Sequence, residues 1–265
     1  MRDHETEAAL ARLTGQHVLV FDSLDSTNDE LKRRAADTVE DGLAVLAHGQ
    51  TGGRGRRGRT FLSPAGKGLY LSVLLRPQCA PETLATLTAW TAAALCGAVE
   101  EVCGVRPGIK WPNDLVLQSK KLCGVLTELE LDPATGAPRY VIVGLGINLT
   151  QTAADFGAEV APIAISLEQA LGRAPEATAL AAAVLRAMAA LDRDFPAEKA
   201  RYLAAYRRDC LTVGREVTVL RPDGTRQGRA VGIDEDFALI VRWEDGREEA
   251  LSAGEVSVRG LYGYV

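Results

Sequence analysis

Glycines alternate with arginines in one short segment at residues 52–59, whose sequence is GGRGRRGR. Glycine allows backbone amides to approach an oxyanion closely, and arginine holds a phosphate or carboxylate through two parallel hydrogen bonds. We therefore predict a loop that faces a phosphate group. The segment alone is also compatible with a basic patch that binds RNA, or with a solvated loop.

Three further clusters place polar or small residues beside β-like stretches. In residues 109–114 (IKWPND), the lysine could bind phosphate, and Asp114 could hold magnesium through oxygen or water. A polar turn with Trp111 in the core is an equally good interpretation of this segment. Residues 120–126 (KKLCGVL) bring a lysine into an apolar strand, followed by Gly124, where a ligand could approach closely. Taken alone, this pattern is more often a strand edge with the lysine outside. Residues 144–148 (GLGIN) permit close backbone approach, but they lack the third glycine and the helix start of a dinucleotide fingerprint.

Composition narrows the classes of protein to consider. The length of 265 residues allows one large domain, or one large and one small domain. The net charge of -5 argues against a general nucleic-acid binder, which usually carries a basic excess. Five cysteines without a CxxC motif and three scattered histidines suggest neither a disulfide framework nor a zinc site. Because no apolar run approaches membrane-spanning length and the N-terminus has no signal core, we expect a cytoplasmic protein with no membrane partner.

Short apolar stretches and alanine-rich segments must hold these clusters in place. Strands are predicted at residues 17–21, 43–47, 69–76, 122–131 and 139–149. A DPATG turn at residues 132–136 joins the last two as a hairpin. Helices are predicted after a cap at Ser26, over residues 81–103, and over residues 177–206 with a break near Pro196.

The pattern of the sequence changes after Cys210, where short β-like segments alternate with PDG, DED and EDG turns. Strands at such short spacing predict a small barrel or sandwich. We place the domain boundary so that residues 1–210 form the first domain and residues 211–265 the second. The predicted fold class is α+β with a small C-terminal β-barrel.

Six motifs, in their order and spacing, resemble the biotin–protein ligase family, also called biotin–[acetyl-CoA-carboxylase] ligase. They are DSTN (25–28), GQTGGRGRRGR (49–59), SPAGKGLYLSVLLRP (63–77), KWPNDL (110–115), KKLCGVLTE (120–128) and VGLGINL (143–149). The resemblance runs roughly from residue 18 to the C-terminus. It implies the class II synthetase-like catalytic fold of biotin and lipoate ligases, with a mixed or antiparallel sheet and flanking helices, followed by an SH3-like β-barrel.

The resemblance also implies which residues bind biotin. Hydroxyls and amides would meet the ureido ring, which needs both donors and acceptors. Gly124 and Leu126 would line the apolar slot for the thiophane ring and valeryl tail. The matched biotin-binding positions are Ser26, Thr27, Asn28, Gln50, Arg54, Gly55, Arg56, Ser72, Lys121, Gly124 and Leu126.

A second set of positions matches the family's nucleotide site. Phe61 stands where many relatives have tryptophan, at a place thought to pack on adenine. Asp114 is the candidate for organising Mg2+, and it joins Arg54, Arg56 and Lys121 as the predicted catalytic group. The matched nucleotide-binding positions are Arg56, Arg57, Arg59, Phe61, Lys110, Asn113, Lys121 and Asn148.

By this resemblance the chain uses ATP and Mg2+ to activate biotin as biotinyl-5′-AMP. It then transfers biotin to a lysine of a biotin carboxyl carrier domain of a carboxylase. A lipoate or octanoate ligase or transferase of the same fold is the nearest alternative. A nucleic-acid-binding protein that uses the GRGRRGR arm is the alternative of another class. The combination of STN, GRGRRG and KWPND favours biotin.

Some relatives carry an N-terminal helix-turn-helix domain and repress biotin genes. Only about two dozen residues precede the first motif here, fewer than a winged helix-turn-helix needs. We therefore expect the monofunctional form of the enzyme, without DNA as a partner. Many relatives form homodimers by pairing sheet edges, and the sequence is compatible with that state.

Overall fold

The computed structural model describes residues 1–35, 40–221, 224–252 and 255–258. Its helices are α1 (His4–Thr14), α2 (Thr27–Ala35), α3 (Pro81–Leu84), α4 (Leu87–Cys103), α5 (Ala153–Val160), α6 (Leu167–Leu171), α7 (Ala177–Asp194) and α8 (Lys199–Asp209). Its strands are β1 (Val18–Phe21), β2 (Ala44–Ala47), β3 (Gly68–Leu75), β4 (Gly108–Lys110), β5 (Asp114–Leu117), β6 (Lys120–Leu131), β7 (Pro138–Asn148), β8 (Glu216–Arg221), β9 (Gly224–Ile233), β10 (Leu239–Trp243), β11 (Glu248–Leu251) and β12 (Glu255–Val258).

Strands β1 to β7 form one sheet in the order β1-β2-β3-β7-β6-β5-β4. The pair β1 and β2 is parallel, whereas the other neighbours are antiparallel. In the predicted hairpin between β6 and β7, the N–H of Asp132 donates to the carbonyl of Ala137 at 2.8 Å. Helices flank this sheet, so the predicted α+β class with a mixed sheet is confirmed.

Alternate residues of the central strands face opposite sides of the sheet, as the two-residue period of β structure requires. On β7, Val143, Leu145 and Ile147 are buried in the main core together with Trp90 of α4 and Leu185 of α7. The intervening positions of β7 carry small or polar residues on the side where α2 packs. The sheet therefore separates a packed helical layer from a face that can hold a ligand.

Residues 81–103, predicted as one long helix, instead form α3 and α4. Both the backbone N–H and the hydroxyl of Thr86 donate to the carbonyl of Thr83, at 3.1 and 2.7 Å. A tight turn thus replaces the regular helical bonds at this point, because a threonine side chain can compete for a backbone carbonyl.

The break predicted near Pro196 is confirmed, because α7 ends at Asp194 and α8 begins at Lys199. Proline has no N–H to donate, and it pushes the preceding residue out of the helical region. Phe195 accordingly has φ −81° and ψ 134°. The break lets α8 turn back and pack against α4.

Strands β8 to β12 form a second, antiparallel sheet in the order β11-β10-β9-β8-β12. The predicted small C-terminal β domain is confirmed, and β12 adds a strand that the turn spacing did not indicate. The ring of Phe237 stands edge-on to Tyr206 of α8, with 5.5 Å between centroids, so both regions share one core. The boundary between residues 210 and 211 stays a prediction. No helix within the described residues is both long and apolar enough to cross a membrane.

Asp192 on α7 is expected to make folding stability depend on pH. Burial, helped by the charge of Asp41, raises the pKa of Asp192 to about 6. An unfolded aspartate titrates near pH 3.9, so the folded chain holds this proton more tightly and loses stability as the pH rises through about 6. Asp192→Asn should therefore raise the free energy of unfolding by about 1 kcal/mol at pH 7.5, and by almost nothing near pH 4.

Urea unfolding at the two pH values measures this difference. Glu244→Gln is the matched control, because Glu244 is an exposed carboxylate in the second sheet region. An equal gain for Asp192→Asn at both pH values would contradict the assignment.

Candidate functional site

One cleft collects most of the residues that the sequence predicted to bind ligands. It lies over β7 and β6, between the loop at residues 52–59 and the turn at residues 110–114. The predicted residues that line it are Ser26, Thr27, Asn28, Gln50, Arg54, Gly55, Arg56, Arg57, Arg59, Phe61, Lys110, Asn113, Asp114, Lys121, Gly124 and Leu126. Ser72 and Asn148 lie behind its wall, 0% and 4% exposed.

The sheet register builds the floor of the cleft. Ser72, Gly144 and Leu126 form one row across β3, β7 and β6. Gly146 and Gly124 pair in the next row. The strands therefore contribute only glycines between Ser72 and Leu126, which leaves room for side chains of other elements to pass over the floor.

Gly144 and Gly146 are required because side chains cross directly above them. A Cβ at Gly144 would clash with the amide of Asn28, and a Cβ at Gly146 would clash with the ring of Phe61. The Phe61 ring also stands edge-on to Tyr70, with 6.5 Å between centroids. The close approach predicted for the GLGIN motif is thus present, and the approaching atoms belong to the protein itself.

A network of hydroxyls and amides fixes the polar side of the cleft. The backbone N–H of Thr27 donates to Gln50 Oε1 at 2.8 Å, and Gln50 Nε2 donates to Ser63 Oγ at 2.9 Å. The hydroxyl of Ser72 lies 2.5 Å from Asn28 Oδ1 and 2.7 Å from Thr27 Oγ1. All but Gln50 are buried. Such a network holds polar groups in set positions around a ligand.

Two carboxylates that the sequence did not single out hold the arginine loop. Arg54 donates to Asp29 Oδ1 at 2.7 Å and to Glu128 Oε2 at 2.8 Å. Glu128 also accepts from Asn28 Nδ2 and from Lys32 Nζ, both at 2.7 Å. Burial alone would raise the pKa of Glu128, but the hydrogen bonds from Lys32 and Asn28 and the charge of Arg54 keep it below its usual value.

The arginine loop folds back on itself and reaches across the cleft. The N–H of Gly55 donates to the carbonyl of Arg59 at 2.6 Å, and a single 3-10 turn spans Arg56–Gly58. Arg56 Nη1 donates to Asn113 Oδ1 at 3.1 Å. The loop is therefore tied to the turn at residues 110–114 as well as to α2 and β6.

Arg56, Asn113, Asp114 and Lys121 form a connected group. Asn113 Nδ2 donates to the carbonyl of Val125 at 2.8 Å, which fixes this amide between Arg56 and β6. Lys121 Nζ lies 2.8 Å from Asp114 Oδ1, and the two side chains are 31% and 13% exposed. The lysine predicted to enter an apolar strand thus points to the cleft beside the carboxylate.

Positive charge is concentrated in the cleft. Its lining contains one acidic residue, Asp114, and six basic residues: Arg54, Arg56, Arg57, Arg59, Lys110 and Lys121. The whole chain, in contrast, has a net charge of -5. A local positive field on an acidic chain favours an anionic ligand at this place.

Asn148 supports the cleft from behind. Its Nδ2 donates to the carbonyl of Ile165 at 3.1 Å and to that of Lys121 at 3.4 Å. These bonds join the end of β7 to the backbone that carries the Lys121 side chain. The contact with the nucleotide that the resemblance implies for Asn148 stays a prediction.

Known proteins share both parts of this architecture. Residues 20–148 match the model of the biotin/lipoate A/B protein ligase family, and residues 212–259 match the biotin protein ligase C-terminal domain. The bifunctional ligase/repressor BirA of Bacillus subtilis (strain 168) is 32% identical over 240 residues, which cover 90% of this chain and 73% of that protein. The chain belongs to the biotin–protein ligase family.

Other biotin–protein ligases match over a similar share of the chain. The biotin–[acetyl-CoA-carboxylase] ligase of Mycobacterium tuberculosis is 34% identical, across 87% of this chain and 85% of that protein. A solved structure of the biotin protein ligase from Aquifex aeolicus in complex with biotin and ATP has a TM-score of 0.76 at 30% identity, and the match covers 91% of this chain and 98% of that one. The catalytic fold that the resemblance implied is confirmed.

In this biotin–protein ligase the turn at residues 110–114 rests on the C-terminal region. The backbone N–H of Trp111 donates to Thr212 Oγ1, and its indole Nε1 donates to the carbonyl of Phe237, both at 3.0 Å. The hydroxyl of Tyr206 donates to the carbonyl of Pro112 at 3.0 Å. The C-terminal region thus supports the turn that carries three of the predicted site residues, Lys110, Asn113 and Asp114.

Sequence reasoning missed the acidic partners of the loop and part of the polar network. The available signal was proximity, because Asp29 directly follows the STN motif and Glu128 ends the KKLCGVLTE motif. Ser63 likewise begins the SPAGKG segment. Their partners lie too far along the chain for a local pattern to reveal the pairing.

Proposed function

We propose that this chain is a biotin–[acetyl-CoA-carboxylase] ligase, which activates biotin with ATP and transfers it to a lysine of a biotin carboxyl carrier domain. The observation that best supports this function is that two different groups of polar side chains line the same cleft. A hydroxyl and amide network lies over β3 and β7, a charged group lies at β5 and β6, and a glycine floor lies between them. Relatives of that name at 34% and 35% identity support it.

Biotin would occupy the glycine floor. Its ureido ring would meet Thr27, Asn28 and Gln50, which offer both donors and acceptors. Its bicyclic ring and tail would lie along Gly124 and Leu126, which line the cleft, whereas Asn28 and Phe61 cover the glycines of β7. The carboxylate at the end of the tail would then reach the cationic group.

ATP would occupy the charged part of the cleft. The side chains offered to its phosphates and adenine are Arg56, Arg57, Arg59, Phe61, Lys110, Asn113 and Lys121. Arginine forks suit phosphate oxygens, and an aromatic ring suits the face of a base. The solved Aquifex aeolicus structure, which is 30% identical, is a complex with biotin and ATP, and this supports the binding of both ligands by this chain.

Asp114 would hold Mg2+. Magnesium needs few protein ligands, because one or two carboxylates suffice when phosphate oxygens and water complete the shell. A single carboxylate in the cleft lining fits a metal whose other ligands are phosphate oxygens and water, and the basic groups around Asp114 attract such a phosphate. Lys121 Nζ now lies 2.8 Å from Asp114 Oδ1, at the oxygen that the metal would take. The metal would supply positive charge that neutralises phosphate oxygens. Lys121 would then turn its ammonium from Asp114 toward the substrate.

In the first step a carboxylate oxygen of biotin attacks the α-phosphorus of ATP. A phosphorus–oxygen bond forms, the bond to pyrophosphate breaks, and biotinyl-5′-AMP results. Two anions must approach each other, so Arg56 and Lys121 offset their repulsion and stabilise the charge that spreads over the phosphoryl oxygens. No covalent bond to the enzyme is needed.

In the second step the amine of the acceptor lysine attacks the acyl carbon, and AMP leaves with the electron pair of the acyl–oxygen bond. The amine must lose a proton, which passes to Asp114 or to solvent. The arginine loop, tied to α2 by Arg54 and to the turn by Arg56, shields the mixed anhydride from water.

The direct test is transfer of labelled biotin to a purified biotin carboxyl carrier domain. We expect label on the carrier only when ATP and Mg2+ are present, with release of AMP and pyrophosphate. Lipoate and octanoate serve as control acids. ATP–pyrophosphate exchange that requires lipoate and ignores biotin would assign the chain to the lipoate branch of the fold.

The nucleic-acid alternative finds no support in the contacts of the arginine loop. Arg54 and Arg56 bond to side chains across the cleft, at Asp29, Glu128 and Asn113, so the segment does not form an extended arm. Salt-dependent RNA binding without adenylation would favour that alternative. The absence of DNA binding stays a prediction, which gel shifts test. The homodimer and the cytoplasmic location also stay predictions, which light scattering and cell fractionation test, respectively.

Trp111→Phe is expected to weaken both the fold and the ATP site. The change removes the indole N–H and leaves the buried carbonyl of Phe237 without this donor, so the free energy of unfolding should fall by about 1–3 kcal/mol. The KM for ATP should rise several-fold, because Asn113 and Asp114 follow Trp111 in the same turn. Urea unfolding and steady-state kinetics measure the two effects.

Trp243→Phe is the matched control for this change. The indole of Trp243 donates to Glu249 within the second sheet, and neither residue lines the cleft. The control should therefore leave the KM for ATP unchanged. A normal KM in Trp111→Phe would show that the second sheet contributes stability alone.

A further inference from the structure

Glu128 occupies a position that the proposed reaction does not use. Its Oε2 accepts from Asn28 Nδ2 at 2.7 Å and from Arg54 at 2.8 Å, and its Oε1 accepts from Lys32 Nζ at 2.7 Å. The neighbouring charges are Lys32 and Asp29 on α2 and Arg54 on the loop. Glu128 therefore stands where the arginine loop, α2 and β6 meet.

The contacts of Glu128 fix the orientation of the Asn28 amide. An ionised carboxylate has only acceptor oxygens, so Asn28 must turn its NH2 group toward Glu128. Asn28 Oδ1 then faces the hydroxyl of Ser72, 2.5 Å away. An amide oxygen cannot donate, so the single hydroxyl proton of Ser72 must point to Asn28.

The same logic sets the direction of the next bond. Ser72 Oγ has used its proton on Asn28, so it accepts from the hydroxyl of Thr27, 2.7 Å away. Gln50 Oε1 already accepts the backbone N–H of Thr27 at 2.8 Å, and it lies 3.2 Å from the Thr27 hydroxyl, farther than the 2.7 Å between that hydroxyl and Ser72 Oγ. The Thr27 hydroxyl, which has given its proton to the buried Ser72, presents only lone pairs to the cleft.

We propose that Glu128 is a positioning residue for biotin, because its acceptor oxygen orders the chain Asn28, Ser72 and Thr27 so that the cleft accepts an N–H group of the ligand. The ureido group of biotin carries such N–H donors. A ligand without an N–H at this place leaves the Thr27 oxygen buried and unpaired, which a polar site rejects strongly. The inference rests on the proposed function of the cleft.

The charge on Glu128 keeps this order constant around neutral pH. Burial favours the protonated form, but Lys32 and Asn28 donate to the carboxylate and Arg54 lies beside it, so the pKa stays below its usual value. A protonated Glu128 could donate to Asn28 and allow the amide to turn over. We therefore expect biotin affinity to be independent of this group at pH 6–8 and to weaken only in acid, below the range in which a glutamate ordinarily titrates.

The structure also permits a simpler role, in which Glu128 merely anchors Arg54 and Lys32 by charge. Two substitutions separate the roles. Glu128→Leu removes both the acceptor and the charge. Glu128→Gln removes the charge but keeps an oxygen that can face Asn28, so positioning predicts rescue by glutamine and anchoring predicts none.

The experiment measures biotin binding to the full chain by calorimetry, without ATP. Glu128→Leu should raise the Kd of biotin about tenfold, the loss expected for a hydrogen-bond chain linked to a charged group. It should also lower the preference for biotin over an analogue with a methylated ureido nitrogen. Glu128→Gln should stay within about threefold of the parent in both measurements. Glu130→Leu, on the same strand and exposed, is the matched control.

Three outcomes would overturn the proposal: an unchanged Kd in Glu128→Leu, equal losses in the leucine and glutamine variants, or a weaker Kd with unchanged discrimination against the methylated analogue. If Glu128→Leu does not fold, Glu128→Ala takes its place in the same comparison. Absence of biotin binding by the parent chain is a different result, because it would reject the proposed function itself.

Discussion

Lys121→Ala is expected to lower the rate of biotinyl-5′-AMP formation by about 10²–10³-fold, the usual loss when one group that stabilises developing charge is removed. The ammonium of Lys121 lies 2.8 Å from Asp114 in the basic part of the cleft. It is the cation that can move between the carboxylate of the protein and the oxygens of the reacting pair. Its loss should leave two anions to meet with less compensating charge.

The kinetics should show where this charge acts. If Lys121 stabilises the transition state more than the bound substrates, kcat falls while the KM for ATP changes little. ATP–pyrophosphate exchange with biotin measures this step without the carrier domain. An additional effect on Mg2+ dependence is expected, because Asp114 then lacks its ammonium partner.

Lys120→Ala is the matched control. It removes the same kind of side chain from the adjacent position, where Lys120 Nζ lies 3.5 Å from the carbonyl of Ala161 rather than in the cleft lining. It should retain nearly full activity. Equal losses in both variants, or full activity in Lys121→Ala, would refute the assignment of Lys121.

Gly144→Ala is expected to raise the Kd of biotin about 10–100-fold. The added methyl group would occupy the space of the Asn28 amide, and relief of such overpacking costs about 1–3 kcal/mol. Asn28 is also bonded to Ser72 and to Glu128, so it cannot move without breaking the polar network. The substitution should thus affect binding far more than a single methyl group in an open cleft would.

Calorimetric titration with biotin tests this expectation, and urea unfolding reports the cost to the fold. Gly232→Ala is the matched control, because Gly232 is also a strand glycine but its Cβ would meet only Ile240, at an ordinary 3.5 Å. Biotin binding should be unchanged in the control. Normal binding in Gly144→Ala would mean that Asn28 does not hold the ligand.

Much of the site could be predicted because its members are local in sequence. The GGRGRRGR, KWPND and KKLCG segments each present their polar groups from one turn, loop or strand. Within each segment the polar groups are therefore close together because of their spacing in the sequence. The alternation in VIVGLGIN is equally local. Every second residue is large and apolar, and in the structure those residues face the helical layer while the glycines face the cleft.

Helix boundaries were less predictable from the same information. The break at Pro196 follows from proline chemistry, which acts on its own neighbourhood. At the break between α3 and α4, the Thr86 hydroxyl donates to the carbonyl of Thr83. Many threonines inside helices do not interrupt them, so this residue type alone does not predict a break. Composition therefore indicated one helix where two exist.

The amino-acid order alone indicates which groups can take part in chemistry: a phosphate-facing arginine loop, a carboxylate with a lysine, a strand pair rich in glycine and the family to which these belong. Which charges meet depends on tertiary packing. Arg54 donates to Glu128, which lies 74 residues away in the sequence, and Trp111 donates to Phe237, which lies 126 residues away. The physical reason is that periodicity and turn chemistry act over a few residues, whereas the partner of a side chain depends on how sheets and helices pack.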